Sequence, residues 1–195
     1  MHAVVSMGEY LWRPLSDSDA DAEFVISLRN HPRFTAMFYD AAPLTPQRHR
    51  DFLASDARRD EINWIIEKDA TPLGTSSIYH VDRSNRKAEC GRIAMLAPKL
   101  FAMNWVVSAH VAFDVMRLNK LYIETLETNE TVARGVERLG MTREGLLRWH
   151  VVRDGKPMNV WYFGGTSADW NAIRAARFER WGVPQIIEFD GWETP

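Results

Sequence analysis

Glu124-Thr125-Leu126-Glu127-Thr128-Asn129-Glu130-Thr131-Val132-Ala133-Arg134-Gly135-Val136-Glu137-Arg138-Leu139-Gly140-Met141 is the run whose reading decides the fold. Asn129 is a good helix N-cap, and Leu139-Gly140 is a good C-terminal stop. A helix is therefore predicted from Asn129 to Leu139. Working outward, Lys120–Thr128 reads as the strand that feeds it, and Ala102–Arg117 as a long apolar helix before that strand. Ala97–Phe101 reads as an irregular link, and Ala88–Leu96 as a strand. A strand, a helix and a parallel strand make a βαβ unit. The helix N-terminus in such a unit offers free backbone N–H groups, which favour anions such as phosphates.

Composition narrows the classes. At 195 residues, one domain is the default. With 46% apolar and 26% charged residues the chain can bury a substantial core. A formal charge of −2 gives no general pull toward nucleic acid or anionic membrane. Cys90 is the only cysteine, so no internal disulfide forms, and its apolar strand context reads as a packed thiol. No signal-peptide pattern opens the chain, and no apolar run approaches the roughly 18 residues that would span a membrane. These features lead us to expect a cytoplasmic protein. No His/Cys/Asp/Glu grouping has metal-ligand spacing, so no metal is expected. The eight Trp read as core packing, stacking surfaces or an interface.

Before the βαβ unit, Met1–Gly8 reads as a loose leader and Glu9–Leu15 as a strand ended by Pro14. A helix with N-cap candidates at Ser16–Asp19 runs to Asn30 and is stopped by Pro32. Arg33–Leu44 reads as irregular, and Thr45-Pro46 opens a second helix to about Arg59. Ile62–Lys68, Gly74–Val81 and Ala88–Leu96 follow as strands on short polar turns, an antiparallel meander. After the unit, Thr142–Val152 and Met158–Gly164 form a hairpin around Asp154-Gly155. Ser167–Trp181 has helical spacing, and Gly182 and Pro184 end it. The domain is expected over 1–170. Residues 171–195, the helix end and an aromatic tail, are expected to pack on that domain or on a second copy as a homodimer. The fold class is α+β, mixed α/β.

The pattern E-x-x-x-x-N-E-x-x-A-x-x-x-x-x-L-G-M from Glu124 to Met141 resembles the acetyl-CoA-dependent N-acetyltransferases of the GNAT superfamily. Smaller matches are Leu28-Arg29-Asn30, His49, Lys87-Ala88-Glu89 and Arg143-Glu144-Gly145-Leu146-Leu147-Arg148-Trp149-His150. Together they resemble the pseudaminic-acid-type nucleotide-sugar N-acetyltransferases of the RimJ/RimL-like group. The resemblance covers about Leu11 to Trp170. It implies a central, mostly antiparallel twisted sheet flanked by helices, with the βαβ core binding an acyl-CoA. It also implies acetyl transfer to the amine of an amino sugar, of the nucleotide-linked 4-amino-4,6-dideoxy type. A protein N-terminus, a polyamine, a carrier-protein donor or a non-catalytic binding role remain open as alternatives. Two departures stand out. Ala97–Met103 has no glycine where the family loop usually has several, with Lys99 and Phe101 where small residues are usual. Val136 stands where many members carry Tyr.

The resemblance implies acetyl-CoA contacts from Ala94, Met95, Leu96, Lys99, Leu100, Phe101, Ala102, Met103 and Asn129. It implies acceptor contacts from Arg29, Asn30, His49 and His150. The chemistry itself needs a group that accepts the ammonium proton and donors that hold the thioester oxygen. Glu89, at the head of the central strand, His80 and His150 are the catalytic candidates. Glu124, in the strand before the second helix of the unit, is a further candidate base, with a structural role favoured there. Each has a plain alternative as a solvated strand-end or surface group.

Overall fold

A computed structural model describes residues 1–192. Among the described residues, nine strands form one sheet in the order β7-β8-β6-β5-β4-β3-β2-β1-β9. The strands are β1 His2–Met7, β2 Tyr10–Pro14, β3 Ile62–Lys68, β4 Thr71–Asp82, β5 Lys87–Met95, β6 Lys120–Leu126, β7 Thr142–Arg153, β8 Lys156–Thr166 and β9 Gln185–Asp190. The helices are α1 Asp19–Asn30, α2 Pro32–Thr35, α3 Pro46–Ala54, α4 Pro98–Ala109, α5 Glu130–Arg138 and α6 Ser167–Trp181. Only β5 and β6 pair in parallel; every other neighbouring pair is antiparallel.

Alternation along β2 sorts the helices onto two faces. Trp12 donates through Nε1 to Asn104 of α4 at 3.0 Å, and Asn104 donates to Ser76 Oγ at 2.9 Å. Its neighbour Arg13 points the other way, to Asp21 of α1 at 2.7 and 2.8 Å. So α4 covers one face, joined there by α6, whose Trp170 donates to Asp114 at 2.9 Å. The segment from α1 to α3 covers the opposite face. Strand β3 is buried on both sides, with Ile62, Trp64, Ile65 and Ile66 at most 1% exposed. Each such aliphatic side chain contributes about 1.5–3 kcal/mol of transfer free energy.

The helix ends follow the residues that cap them. Ser18, Thr45 and Asn129 accept from first-turn N–H groups, and Thr166 with Asp169 makes a reciprocal capping box. Gly140 sits at φ +101° just beyond α5, a conformation that glycine tolerates best.

Three expectations need correction. Met1–Gly8 is not a leader, because His2–Met7 is strand β1. Ala3, Val5 and Met7 alternate inward at 1% exposure or less, and pairing with β2 and β9 holds both edges. Ala97–Phe101 is not an irregular link. Pro98 occupies the first position of α4, where its fixed φ suits a helix and its missing N–H costs nothing. The helix beyond Ala109 also changes character, because His110–Val115 is a π-helical turn. The aromatic tail lies on its own chain. Strand β9 pairs with β1, and Trp192 Nε1 donates to the Met116 carbonyl at 3.0 Å. The last three residues of the 171–195 segment fall outside the described residues. Among the described residues no helix is long and apolar enough to cross a membrane.

Candidate active site

The site is made by a parting of strands. β5 and β6 pair only at Lys87, Ala88 and Glu89 with Lys120, Leu121 and Tyr122. Beyond these the two strands diverge, although β5 continues to Met95 and β6 to Leu126. A bulge in β5 accompanies the divergence. Thr75 pairs with Ala94 and Ser77 with Gly91, so Ser76 alone faces both Arg92 and Ile93. Arg92 sits at φ +53° there, which costs an L residue energy and bends the strand. The opening continues into a cavity of about 470 Å³ between the sheet and the α1–α3 segment. Its walls are largely apolar, with Met37, Phe38, Phe52, Ile93, Phe101 and Ile123 among them.

Glu89 is the buried acid in this cavity, at 6% exposure. Tyr79 donates its hydroxyl to Glu89 Oε1 at 2.5 Å, and His80 Nδ1 lies 2.9 Å from Oε2. Consecutive strand residues normally point to opposite faces. Here a second bulge, with His80 at φ +51°, lets both reach one carboxylate. Burial pushes the Glu89 carboxyl above its ordinary value, with nearby Glu124 adding to the rise. The bonds from Tyr79 and His80 oppose that rise without cancelling it. Tyr79 itself is held far above the usual phenol range by burial and by Glu89. It stays a neutral donor.

Glu124, on the β6 side, also lines the cavity. It accepts from the Tyr39 hydroxyl at 3.0 Å and lies 3.4 Å from His150 Nε2. His150 reaches it from a wide bulge in β7, where Trp149 holds φ +52° and donates its N–H to Asn159 Oδ1 at 2.9 Å. The structure thus sets Glu89 and Glu124 in one cavity wall, with His80 against the first and His150 against the second. The two histidines stand outside the cavity wall, each behind a carboxylate.

Of the other sequence candidates, Arg29, His49, Phe101 and Asn129 line the cavity. Asn30 does not. Its amide donates to the Leu44 carbonyl at 3.0 Å and accepts from the Leu44 N–H at 2.7 Å, so it ties a loop instead of offering itself to an acceptor. Leu100 and Met103 are also reassigned. Their side chains are core residues at 0% and 6% exposure, and the Leu100 N–H bonds to Ala97 at 3.1 Å. Ala94 and Met95 bury their side chains and have only backbone to offer at the opening. Leu96 is exposed, and Ala102 packs against the core. Lys99 turns away toward Glu9 and the Tyr10 ring. Cys90 is fully buried and its thiol is pushed up to about 11, which makes it a packing group.

Sequence reading missed Tyr39, Tyr79 and Arg92. Tyr79 carried a usable signal, since Thr75, Ser77 and Tyr79 alternate on one face of β4. Arg92 carried none. Its guanidinium crosses to Glu61 at 2.6 and 3.0 Å and to Asn63 at 3.1 Å, contacts set by a bulge that sequence did not announce.

The opening leaves backbone groups exposed between the two strands. The facing edges of β5 beyond Glu89 and of β6 beyond Tyr122 have no strand partner, which leaves backbone groups for amide-bearing chains. α4 begins at Pro98, and its N-cap Ala97 makes no side-chain cap bond; Pro98 has no N–H and the Leu100 N–H bonds to the Ala97 carbonyl, so fewer first-turn donors are free for an anion. Asn129 and Val132 of the α5 start stand across from it, with Phe101 in the wall between. The Phe101 ring leans on α5 at Gly135, where a β-carbon would lie 3.4 Å from it. Among the described residues no cluster of three or more His, Cys, Asp or Glu could hold a metal ion.

Comparison with known proteins identifies the family. Residues 11–142 match the GNAT acetyltransferase domain family. The chain belongs to that family and is a GNAT-type N-acyltransferase. It is 25% identical over 170 residues to "Putative ribosomal N-acetyltransferase YdaF" of Bacillus subtilis (strain 168), covering 81% of this chain and 91% of that protein. In structure it resembles a GCN5-related N-acetyltransferase from Brucella melitensis with a TM-score of 0.77, at 18% identity over 94% of this chain and 86% of that one. It also resembles a spermidine N-acetyltransferase from Vibrio cholerae, solved in complex with CoA and spermine. There the TM-score is 0.71, at 17% identity over 84% of this chain and 98% of that one.

Proposed function

We propose that the chain moves an acetyl group from acetyl-CoA to a primary amine seated against Glu89, the acceptor being an amino sugar carried on a nucleotide. The observation that carries this reading is the Glu89 carboxylate, buried at the floor of the cavity where β5 and β6 part. Acetyl-CoA supplies an activated thioester carbonyl. The open edges of β5 and β6 hold its amide-bearing arm, and the first turn of α4 faces its phosphates. Glu89 takes the proton that the attacking amine must lose, and its raised pKa makes it a better base than a solvated carboxylate. Tyr79 and His80 fix the carboxylate's orientation. The aromatic and aliphatic walls exclude water from the amine, which favours its neutral form. His49 and Arg29 in the same wall supply polar partners suited to hydroxyls and an anion, as a sugar nucleotide carries.

The test is thiol release from acetyl-CoA with a panel of primary amines. The panel spans 4-amino-4,6-dideoxy sugar nucleotides, free amino sugars, peptides with free N-termini and polyamines. Turnover on the sugar nucleotides above all others is expected. Preference for a peptide or a polyamine would replace the sugar acceptor, and thiol release with none of them would remove the transferase reading.

A further inference from the structure

The cavity wall carries a cation that the chain itself leaves without a counter-ion. Three arginines line it: Arg29, Arg48 and Arg92. Arg48 is paired with Asp40, and Arg92 with Glu61 at 2.6 Å. Arg29, in the last turn of α1, forms no ion pair and donates no side-chain hydrogen bond among the described residues. Its guanidinium carbon lies 3.4 Å from the centroid of the Phe38 ring, which leaves the donor rim free. Asp40 is the one acid that acts on it, and Arg48 already occupies Asp40. Burial, with Arg48 and Arg92 nearby, lowers the Arg29 pKa to about 10, so it remains charged at neutral pH.

A histidine lies elsewhere in the same wall. His49 is 2% exposed, lines the same cavity, and its Nε2 has no hydrogen-bond partner. Burial and Arg58 lower its pKa, which favours the neutral ring. Buried polar atoms are rarely left unpaired, but this nitrogen has almost no accessible surface, so the case for a bound anion rests on Arg29. Glu89 and Glu124 line the sheet side of the cavity, so the amine and an anion have separate places in it.

We infer that the acceptor is an amine that also carries an anionic group, a carboxylate or a phosphate, which Arg29 binds. This inference rests on the transferase reading above and names the class of its acceptor. A planar guanidinium held against an aromatic ring presents two parallel N–H groups, the geometry that carboxylate and phosphate oxygens match. A polyamine would bring a second cation to Arg29 instead of a counter-ion.

The experiment uses the full chain, acetyl-CoA and matched acceptors: an amino acid with its methyl ester, a phosphorylated or nucleotide-linked amino sugar with the free sugar, and spermidine. The anionic member of at least one pair is expected to have the higher kcat/KM by about 10- to 100-fold, the range of one charge-assisted contact. The responding pair tells carboxylate from phosphate. In Arg29→Met, which keeps the stem under Phe38, that ratio falls toward one, and Arg29→Lys keeps part of it. Equal rates on neutral and anionic members, fastest turnover on spermidine, or a ratio that survives Arg29→Met would overturn the inference while leaving the transferase intact. Calorimetry without donor separates the two readings. If no amine is acetylated, yet an anionic amine binds the wild type and not Arg29→Met, the anion site stands and the transferase reading falls. The wild-type preference needs no variant, so a misfolded Arg29→Met does not rescue the idea.

Discussion

Replacing Glu89 by Gln separates chemistry from architecture at this site. The side chain is 6% exposed and receives the Tyr79 hydroxyl at 2.5 Å and His80 Nδ1 at 2.9 Å. Gln has the same shape. Its carbonyl can accept from Tyr79, and its amide can donate to an unprotonated His80 nitrogen. What Gln lacks is the ability to take a proton, so kcat for acetyl transfer should fall by about 10²–10⁴-fold. Stability should move the other way. Burial raises the folded pKa of Glu89, so its contribution to stability is present at low pH and is lost as pH rises through that pKa. Gln carries no such charge. The variant should therefore gain on the wild type in urea unfolding at pH 7, and the gain should shrink as pH falls below the ordinary value of 4.5. In the wild type the acidic limb of kcat/KM should lie above 4.5 for the same reason. The assays are thiol release across pH and equilibrium unfolding at two pH values. A variant within about tenfold of the wild-type rate, outside the range for a lost general base, refutes the role of Glu89. So does an acidic limb that persists in the variant.

Two further perturbations test the fold and the donor site. Asn104→Ala leaves Trp12 Nε1 and Ser76 Oγ unpaired beneath α4 and should cost about 1–3 kcal/mol in urea unfolding. A loss under about 0.5 kcal/mol, the scale of an ordinary surface change, would show that this buried chain of bonds contributes little. Phe101→Gly removes the ring that leans on α5 at Gly135 and should tighten acetyl-CoA binding in calorimetry, because only glycine allows the closest backbone approach to a pyrophosphate. Weaker binding by the variant would mean that the ring contacts the donor and does not obstruct it.

Much of the frame was legible because it is written locally. Asn129 and Gly140 bracket α5 through hydrogen bonds within a few residues of each. Glu89 stood out as a carboxylate near the head of β5, between the apolar Ala88 and Cys90. β1 was not legible, since three inward residues, Ala3, Val5 and Met7, are too short a signal without the partners on either side. α4 starts four residues before the expected Ala102, because Pro98 fixes a helical first turn in a run that has no side-chain cap to mark it. Asn30 matched a pattern that points to a ligand, yet its amide is used up by Leu44, fourteen residues on.

The sequence by itself determined most of the order of elements between β2 and α6, the parallel step from β5 to β6 and most helix ends, while the class of chemistry followed from the resemblance to the GNAT family. Each depends on periodicity, on caps or on a run of residues read in order. Only the tertiary structure decided the site. The parting of β5 from β6 is accompanied by a bulge at Arg92, the shared hold on Glu89 arises from a bulge at His80, and the reach of His150 to Glu124 arises from one at Trp149. All three are non-glycine residues in the left-handed region, so no residue type marks them. Arg29 without a counter-ion and His49 without a partner are likewise facts about what distant segments fail to bring near. Such an absence has no local signature. It exists only once α1, α3 and the sheet have closed around the same space.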